Sequence, residues 1–269
     1  MDFEIRAGDG RVLFRIDADS LGEAVERAVH EGVDLGGAQL DGVDLTGGNL
    51  EEARLSGASL KGAQLRRANL EEVDLRGAQL DGASLDGANL EEADLGKASL
   101  VDASLRGANL EEARLEGANL ARALLEGCNL EEADLADARL DGARLSRSNL
   151  ENARLDRVQA AGVQLRAANL EKSTFRQAHL EGADLSACNA EKCDFGQARL
   201  VRADLSGANL ERCGFRGADL SHASLRDANL ERCDIEGARL EGIDTSGANL
   251  ERLSGRPAGG GDDPGTPYR

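Results

Sequence analysis

Three histidines, five cysteines and fifty acidic side chains are the groups through which this chain could do chemistry. A carboxylate pair, or a carboxylate beside an imidazole, would suit general acid–base catalysis, and clustered thiols would suit a metal or a redox couple. Each needs a spacing that brings the groups together. His30, His179 and His222 share no spacing, whereas Cys193, Cys213 and Cys233 recur every twenty residues. So do the pairs Glu51/Glu52, Glu71/Glu72, Glu91/Glu92, Glu111/Glu112 and Glu131/Glu132. What a spacing of twenty can do depends on the backbone that carries it.

That period lies on a shorter one of five. Asparagine stands at every twentieth position from Asn49 to Asn249, each followed two residues later by Glu, from Glu51 to Glu251. From Leu35 to Leu250 the chain reads as forty-four pentapeptides, usually with Leu at the centre and Ala two residues earlier. A period of five misses the helical 3.6. Residues two apart on an extended segment point the same way, so each pentapeptide predicts a three-residue strand facing inward at both ends. The other two residues turn the chain, and Gly57, Gly62, Gly82, Gly87, Gly107, Gly117 and Gly127 suit the φ > 0 position of a type II turn.

These units resemble the pentapeptide-repeat family, whose motif is Ala-(Asp/Asn)-Leu-X-X. The resemblance covers residues 33–252. It implies an all-β solenoid, a right-handed quadrilateral β-helix with four pentapeptides per coil, which agrees with the period of twenty. About eleven coils at roughly 4.8 Å give a rod on the order of 50 Å long.

Residues 1–32 differ. Phe3–Arg6 and Val12–Ile16 flank Gly8-Asp9-Gly10 as a hairpin. Ser20 and Glu23 then form a capping box for a helix bearing Leu21, Ala24, Val25, Ala28 and Val29, closed by Gly32. This hairpin and helix are expected to cap the first coil of a repeat domain over 33–253. Residues 254–269, rich in Gly, Pro and Asp, are expected to be a disordered tail. With no cover over the last coil, Ile243, Thr245, Leu250 and Leu253 are expected to form a homodimer interface.

In the twenty-residue register Cys193, Cys213 and Cys233 occupy positions that elsewhere hold small inward Ala, so they read as compact hydrophobes rather than metal ligands. Cys128 and Cys188 belong to a second inward column. Phe175, Phe195, Phe215 and Ile235 replace Leu in one central column, and Ala160 and Ala190 compensate for their volume. His179 and His222 fall in different columns, and carboxylates on a convex rod have no cleft to tune them. The chain therefore reads as non-enzymatic, with no cofactor and no metal.

What remains is surface. The net charge is −18, and residues 33–152 carry −12 of it. This excludes direct nucleic-acid binding and favours a partner with a basic surface. The core is built from Leu and Ala, since the chain has no Trp, one Tyr and five Phe. No apolar run approaches the roughly 18 residues of a membrane span. The odd number of cysteines, all inside the repeat, suits a reducing, cytoplasmic setting.

The ten glutamates from Glu51 to Glu132 are the expected partner-binding residues. Beyond them the second residue of the pair becomes Asn152, Lys172, Lys192, Arg212, Arg232 and Arg252. Stacked like charges repel, so the stripe is either a tolerated relic of coil duplication or a binding face, with the Asn column able to ladder beside it. The resemblance implies a function for such a face. Some family members look like B-form DNA, bind DNA gyrase or topoisomerase IV and protect it from quinolones. They usually end in a dimerising helix, and no helical pattern follows Leu253 here. The alternative is an interaction scaffold with an unrelated partner.

Overall fold

The computed structural model describes residues 1–258. β1 (Asp2–Arg6) and β2 (Val12–Asp17) pair antiparallel, with Phe3 opposite Ile16 and Ile5 opposite Phe14, so the alternating apolar residues share one face. α1 (Leu21–His30) begins where Ser20 Oγ accepts the Glu23 N–H at 3.0 Å. The Glu23 carboxylate reaches one residue further back than a capping box requires, accepting the Asp19 N–H at 2.8 Å. At the other end Gly32, at φ 68°, donates to the Val29 carbonyl and Val33 donates to that of Ala28. This Schellman arrangement satisfies two of the helix's last carbonyls.

From Gln39 to Ser254, residues twenty apart bridge in parallel. One rung shows the pattern. The Leu50 N–H donates to the Asn69 carbonyl at 2.7 Å, the Asn69 N–H to that of Gly48 at 2.9 Å, and the Glu52 N–H to that of Glu71 at 2.9 Å. Between rungs the Ala53 N–H returns to the Leu50 carbonyl at 3.0 Å, which closes a turn. A corner therefore recurs every five residues, and after four corners the chain lies over itself. The result is a β-solenoid whose inward Leu and Ala columns form one continuous buried core. Phe175, Phe195 and Phe215 stack in it, with ring centroids 5.1 and 5.2 Å apart.

The corner chemistry is less dependent on glycine than its sequence suggests. Among the described residues, twenty-five non-glycine residues adopt φ between 54° and 62°. That conformation costs an L-residue about 1–2 kcal/mol. It persists because the N–H of the same residue is committed to the neighbouring coil, as Glu52 is to Glu71.

Ile5, Ala24, Val25 and Ala28 join the core of Leu35, Leu40, Leu45 and Leu50. The Gln39 N–H donates to the Arg6 carbonyl at 2.8 Å, and Ala7 bridges Ala38. β1 thus supplies the first coil with bonds that a preceding coil would otherwise make. At the far end the ladder outruns the boundary expected at Leu253. Ser254 donates to the Cys233 carbonyl, and the Arg256 carbonyl accepts from Gly237 at 2.7 Å. Backbone bonding needs no Leu: Gly255 stands at the centre position that Leu, Phe or Ile fills in earlier coils, and its φ of 85° falls outside the corner register, whose last positive φ among the described residues is at Arg252. The rest of the expected tail, 259–269, lies outside the described residues.

Candidate partner interface

One edge of the solenoid carries the Asn column and the glutamates that follow it. Each Asn from Asn69 to Asn249 donates its side-chain N–H to the Oδ1 of the Asn twenty residues earlier, from Asn69–Asn49 at 3.0 Å to Asn249–Asn229 at 2.9 Å. The same Oδ1 accepts a backbone N–H two residues on, as Asn109 does from Glu111 at 3.3 Å. The ladder anticipated in the sequence is thus complete along the described coils, and it is structural.

The ten expected partner-binding glutamates divide into two columns. Glu51, Glu71, Glu91, Glu111 and Glu131 each accept a side-chain N–H from the Asn of the next coil, at 3.0–3.2 Å. Four of these five are half-buried. Glu52, Glu72, Glu92, Glu112 and Glu132 occupy the left-handed corner position and are exposed. Glu72 shows what their stacking does. Repulsion from Glu92, with lesser contributions from burial and from Glu52, Glu71 and Glu51, holds its carboxyl above the usual range.

From Lys172 onward the same corner becomes a zipper of alternating charge. Lys172 Nζ lies 3.0 Å from Glu151 and 3.2 Å from Glu171, and Lys192 Nζ lies 3.7 Å from Glu171 and 2.8 Å from Glu191. Arg212 and Arg232 likewise join successive glutamates. A hydrogen bond from Lys172 lowers the pKa of Glu151, and one from Lys192 lowers that of Glu191.

The other candidate groups do not converge. Cys128, Cys193, Cys213 and Cys233 are buried and donate their S–H to carbonyls twenty-three residues earlier, at 2.8–2.9 Å. Burial pushes the thiols of Cys128 and Cys188 up to about 12, so both stay protonated. Among the described residues no group of His, Cys, Asp and Glu is arranged to hold a metal. No helix among them is long and apolar enough to cross a membrane. Ile243, Thr245, Leu250 and Leu253 meet at the C-terminal end of the core, each partly exposed.

Sequence reading located the edge but missed its division. The signal was present: Asn and Glu two apart, both repeating every twenty, must lie side by side once coils stack.

The profile of the family described as "Pentapeptide repeats (8 copies)" matches residues 49–87, 83–120, 118–157, 153–200, 178–217, 198–237 and 213–252. Among solved structures the chain is similar to HetL, a pentapeptide repeat protein involved in heterocyst differentiation regulation from the cyanobacterium Nostoc sp. strain PCC 7120. They share 32% identity over 86% of this chain and 95% of HetL, with a TM-score of 0.55. It also shares its fold with QnrB1, a plasmid-mediated fluoroquinolone resistance protein, at 20% identity over 65% of this chain and 91% of that one, with a TM-score of 0.54. No curated protein sequence matches. The unbroken five-residue repeat, its bonding to residues twenty away and these matches together make the chain a member of the pentapeptide-repeat family, with that family's right-handed β-helix fold.

Proposed function

We propose that this chain is a non-enzymatic DNA mimic, an acidic rod of about eleven coils that acts in the cytoplasm on a type II topoisomerase, DNA gyrase or topoisomerase IV. The observation that carries this reading is the column Glu52, Glu72, Glu92, Glu112 and Glu132, exposed and stacked one per coil at the corner. With the Glu51 column beside it, the edge presents two carboxylates per roughly 4.8 Å of axis. Duplex DNA carries one charge per about 1.7 Å. A basic groove built for phosphates would meet a comparable line of charge. QnrB1, which has the same fold, is a fluoroquinolone resistance protein, and this makes gyrase the first partner to test.

The test is gyrase supercoiling titrated with this protein, with and without a quinolone, at two salt concentrations. A change in supercoiling or in drug sensitivity that weakens steeply with salt is expected. Unchanged activity at excess protein under all conditions would overturn the reading.

A second reading has its own support. HetL, at 32% identity, is involved in regulating differentiation, and the neutralised edge from Lys172 to Arg252 offers a mixed-charge surface that a scaffold could use with an unrelated partner. Either function is compatible with a homodimer through Ile243, Thr245, Leu250 and Leu253, where the apolar core reaches the surface. Light scattering that gives a monomer mass at micromolar concentration would exclude that dimer.

A further inference from the structure

We infer that β2 is a docking edge for a second copy of this chain, the two β2 strands pairing antiparallel so that the hairpins join into one sheet. β2 has β1 as its one partner strand. At the end of the hairpin the Ala18 N–H donates to the Met1 carbonyl at 2.9 Å and the Met1 amine to that of Ala18 at 2.8 Å. Along an antiparallel ladder, pairs that exchange bonds alternate with pairs that do not. Phe3/Ile16 and Ile5/Phe14 are therefore the bonded pairs, and Arg15 and Asp17 turn their N–H and C=O groups away from β1. Among the described residues nothing hydrogen-bonds to the main chain of either.

The side chains along this edge are those of an unfinished sheet. Four of the six residues of β2 are apolar, yet none of the six is buried. Among the described residues the exposed large apolar side chains are Met1, at 81%, and Val12, at 38%, and both lie on this hairpin. Strands that avoid pairing carry Lys or Pro or bulge away. β2 has neither Lys nor Pro, and its one bulge lies beyond Phe14, opposite the Ile5–Arg6 step, so residues 14–18 stay regular.

The edge is complementary to itself in one register. With the open main-chain groups on Arg15 and Asp17, a twofold-symmetric pair sets Arg15 against Arg15 or Arg15 against Asp17. The first puts like charges face to face. The second places each Arg15 opposite the other copy's Asp17, with both main-chain bonds made at each pair, and brings the two Ile16 side chains together on the twofold axis. Registers displaced toward Leu13 run into the bulge. Arg15 already meets Glu4, and Asp17 lies 2.6 Å from the Met1 amine, but their side chains remain 59% and 86% exposed and have donors and acceptors to spare. An unrelated extended peptide would gain the main-chain bonds without this match of charge, which is why a second copy is the occupant.

The test is backbone amide exchange in the full chain, read by NMR. The amides of Arg15 and Asp17 should exchange roughly threefold more slowly at about 1 mM protein than at about 50 µM. Arg15→Asp alone and Asp17→Arg alone each set like charges across the contact, and each should abolish that change. Mixed in equal amounts the two variants should recover it, because every cross-strand pair is then of opposite sign; recovery on mixing separates lost pairing from lost folding. Exchange at Arg15 and Asp17 that is independent of concentration in the unaltered chain would overturn self-pairing and leave the edge to a strand of a different protein. A rise in mass by light scattering without protection of these two amides would overturn it too, and would put the contact at the C-terminal coils. Protection that survives in both single variants would overturn the Arg15–Asp17 register.

Discussion

Lys172 Nζ lies 3.0 Å from Glu151 Oε1 in the preceding coil, where every earlier coil but one sets a second glutamate against its neighbours. Lys172→Glu with Lys192→Glu should therefore lengthen the acidic edge and break the zipper at once. The expected outcome is tighter binding to a basic partner, a steeper dependence on salt and a lower urea midpoint. An unchanged salt dependence would mean that this edge does not carry the binding.

The Asn ladder should be measurable as stability. Asn109 donates to Asn89 at 3.2 Å and to Glu91 at 3.1 Å, and accepts from Asn129 at 3.1 Å. Asn109→Ala removes these bonds and should cost about 1–2 kcal/mol in urea denaturation. Asn49→Ala, at the open end, should cost less. Equal costs would show that the side-chain bonds along the ladder are not what is being lost.

The left-handed corners hold stability in reserve. Ala187 sits at φ 55° with no side-chain bond to lose, so Ala187→Gly isolates the strain. It should stabilise the protein by up to about 1 kcal/mol, because relief of the αL penalty exceeds the added freedom of the unfolded chain. A fall in melting temperature would contradict this account of the corners.

Acidity should act in two stages. Glu92, foremost, raises the carboxyl of Glu72 above its ordinary 4.5, so the folded protein holds that proton more tightly than the unfolded chain does. Stability therefore falls as pH rises through this window, and acidification from pH 7 toward about 5 should raise the urea midpoint. Glu151 and Glu191 are lowered instead. Their contribution is present above the ordinary value and is lost as pH falls through the lowered one. Glu72→Gln should flatten the first stage and leave the second. A midpoint that declines steadily from pH 7 to 5 would refute it.

Phe195 and Ala190 offer a test of volume compensation, since both are buried in one coil of the same core. Phe195→Ala should cost about 3–5 kcal/mol and Ala190→Leu about 1–3 kcal/mol. Phe195→Leu combined with Ala190→Leu should cost less than Phe195→Leu and Ala190→Leu made singly and added together. Strict additivity in this double-mutant cycle would mean the two sites pack independently.

Much of this molecule is legible without coordinates. The period of five, with Leu at its centre and Ala two before, cannot be met by a helix or a flat strand, and the twenty-residue return of Asn49 gives the length of a coil. The pairing of residues twenty apart follows, and with it the Leu and Ala core, the stacked phenylalanines and the point near Asn152 where the acidic edge begins to be neutralised. Ser20, Glu23 and Gly32 mark the helix ends equally well, because caps are local.

What the sequence could not decide depends on neighbours from other coils. Adjacent glutamates of one type became two populations, Glu51 taken up by Asn69 and Glu52 left exposed, because a corner points its two side chains differently. The ladder ran past Leu253 because backbone hydrogen bonds are indifferent to side-chain type. The close fit of Gly22 against Asp44, and of Glu26 against Gly48, exists only once the helix lies on the coil. Periodicity fixes which residues share a column; three-dimensional contact alone determines which of their polar groups are already satisfied and which remain free to bind.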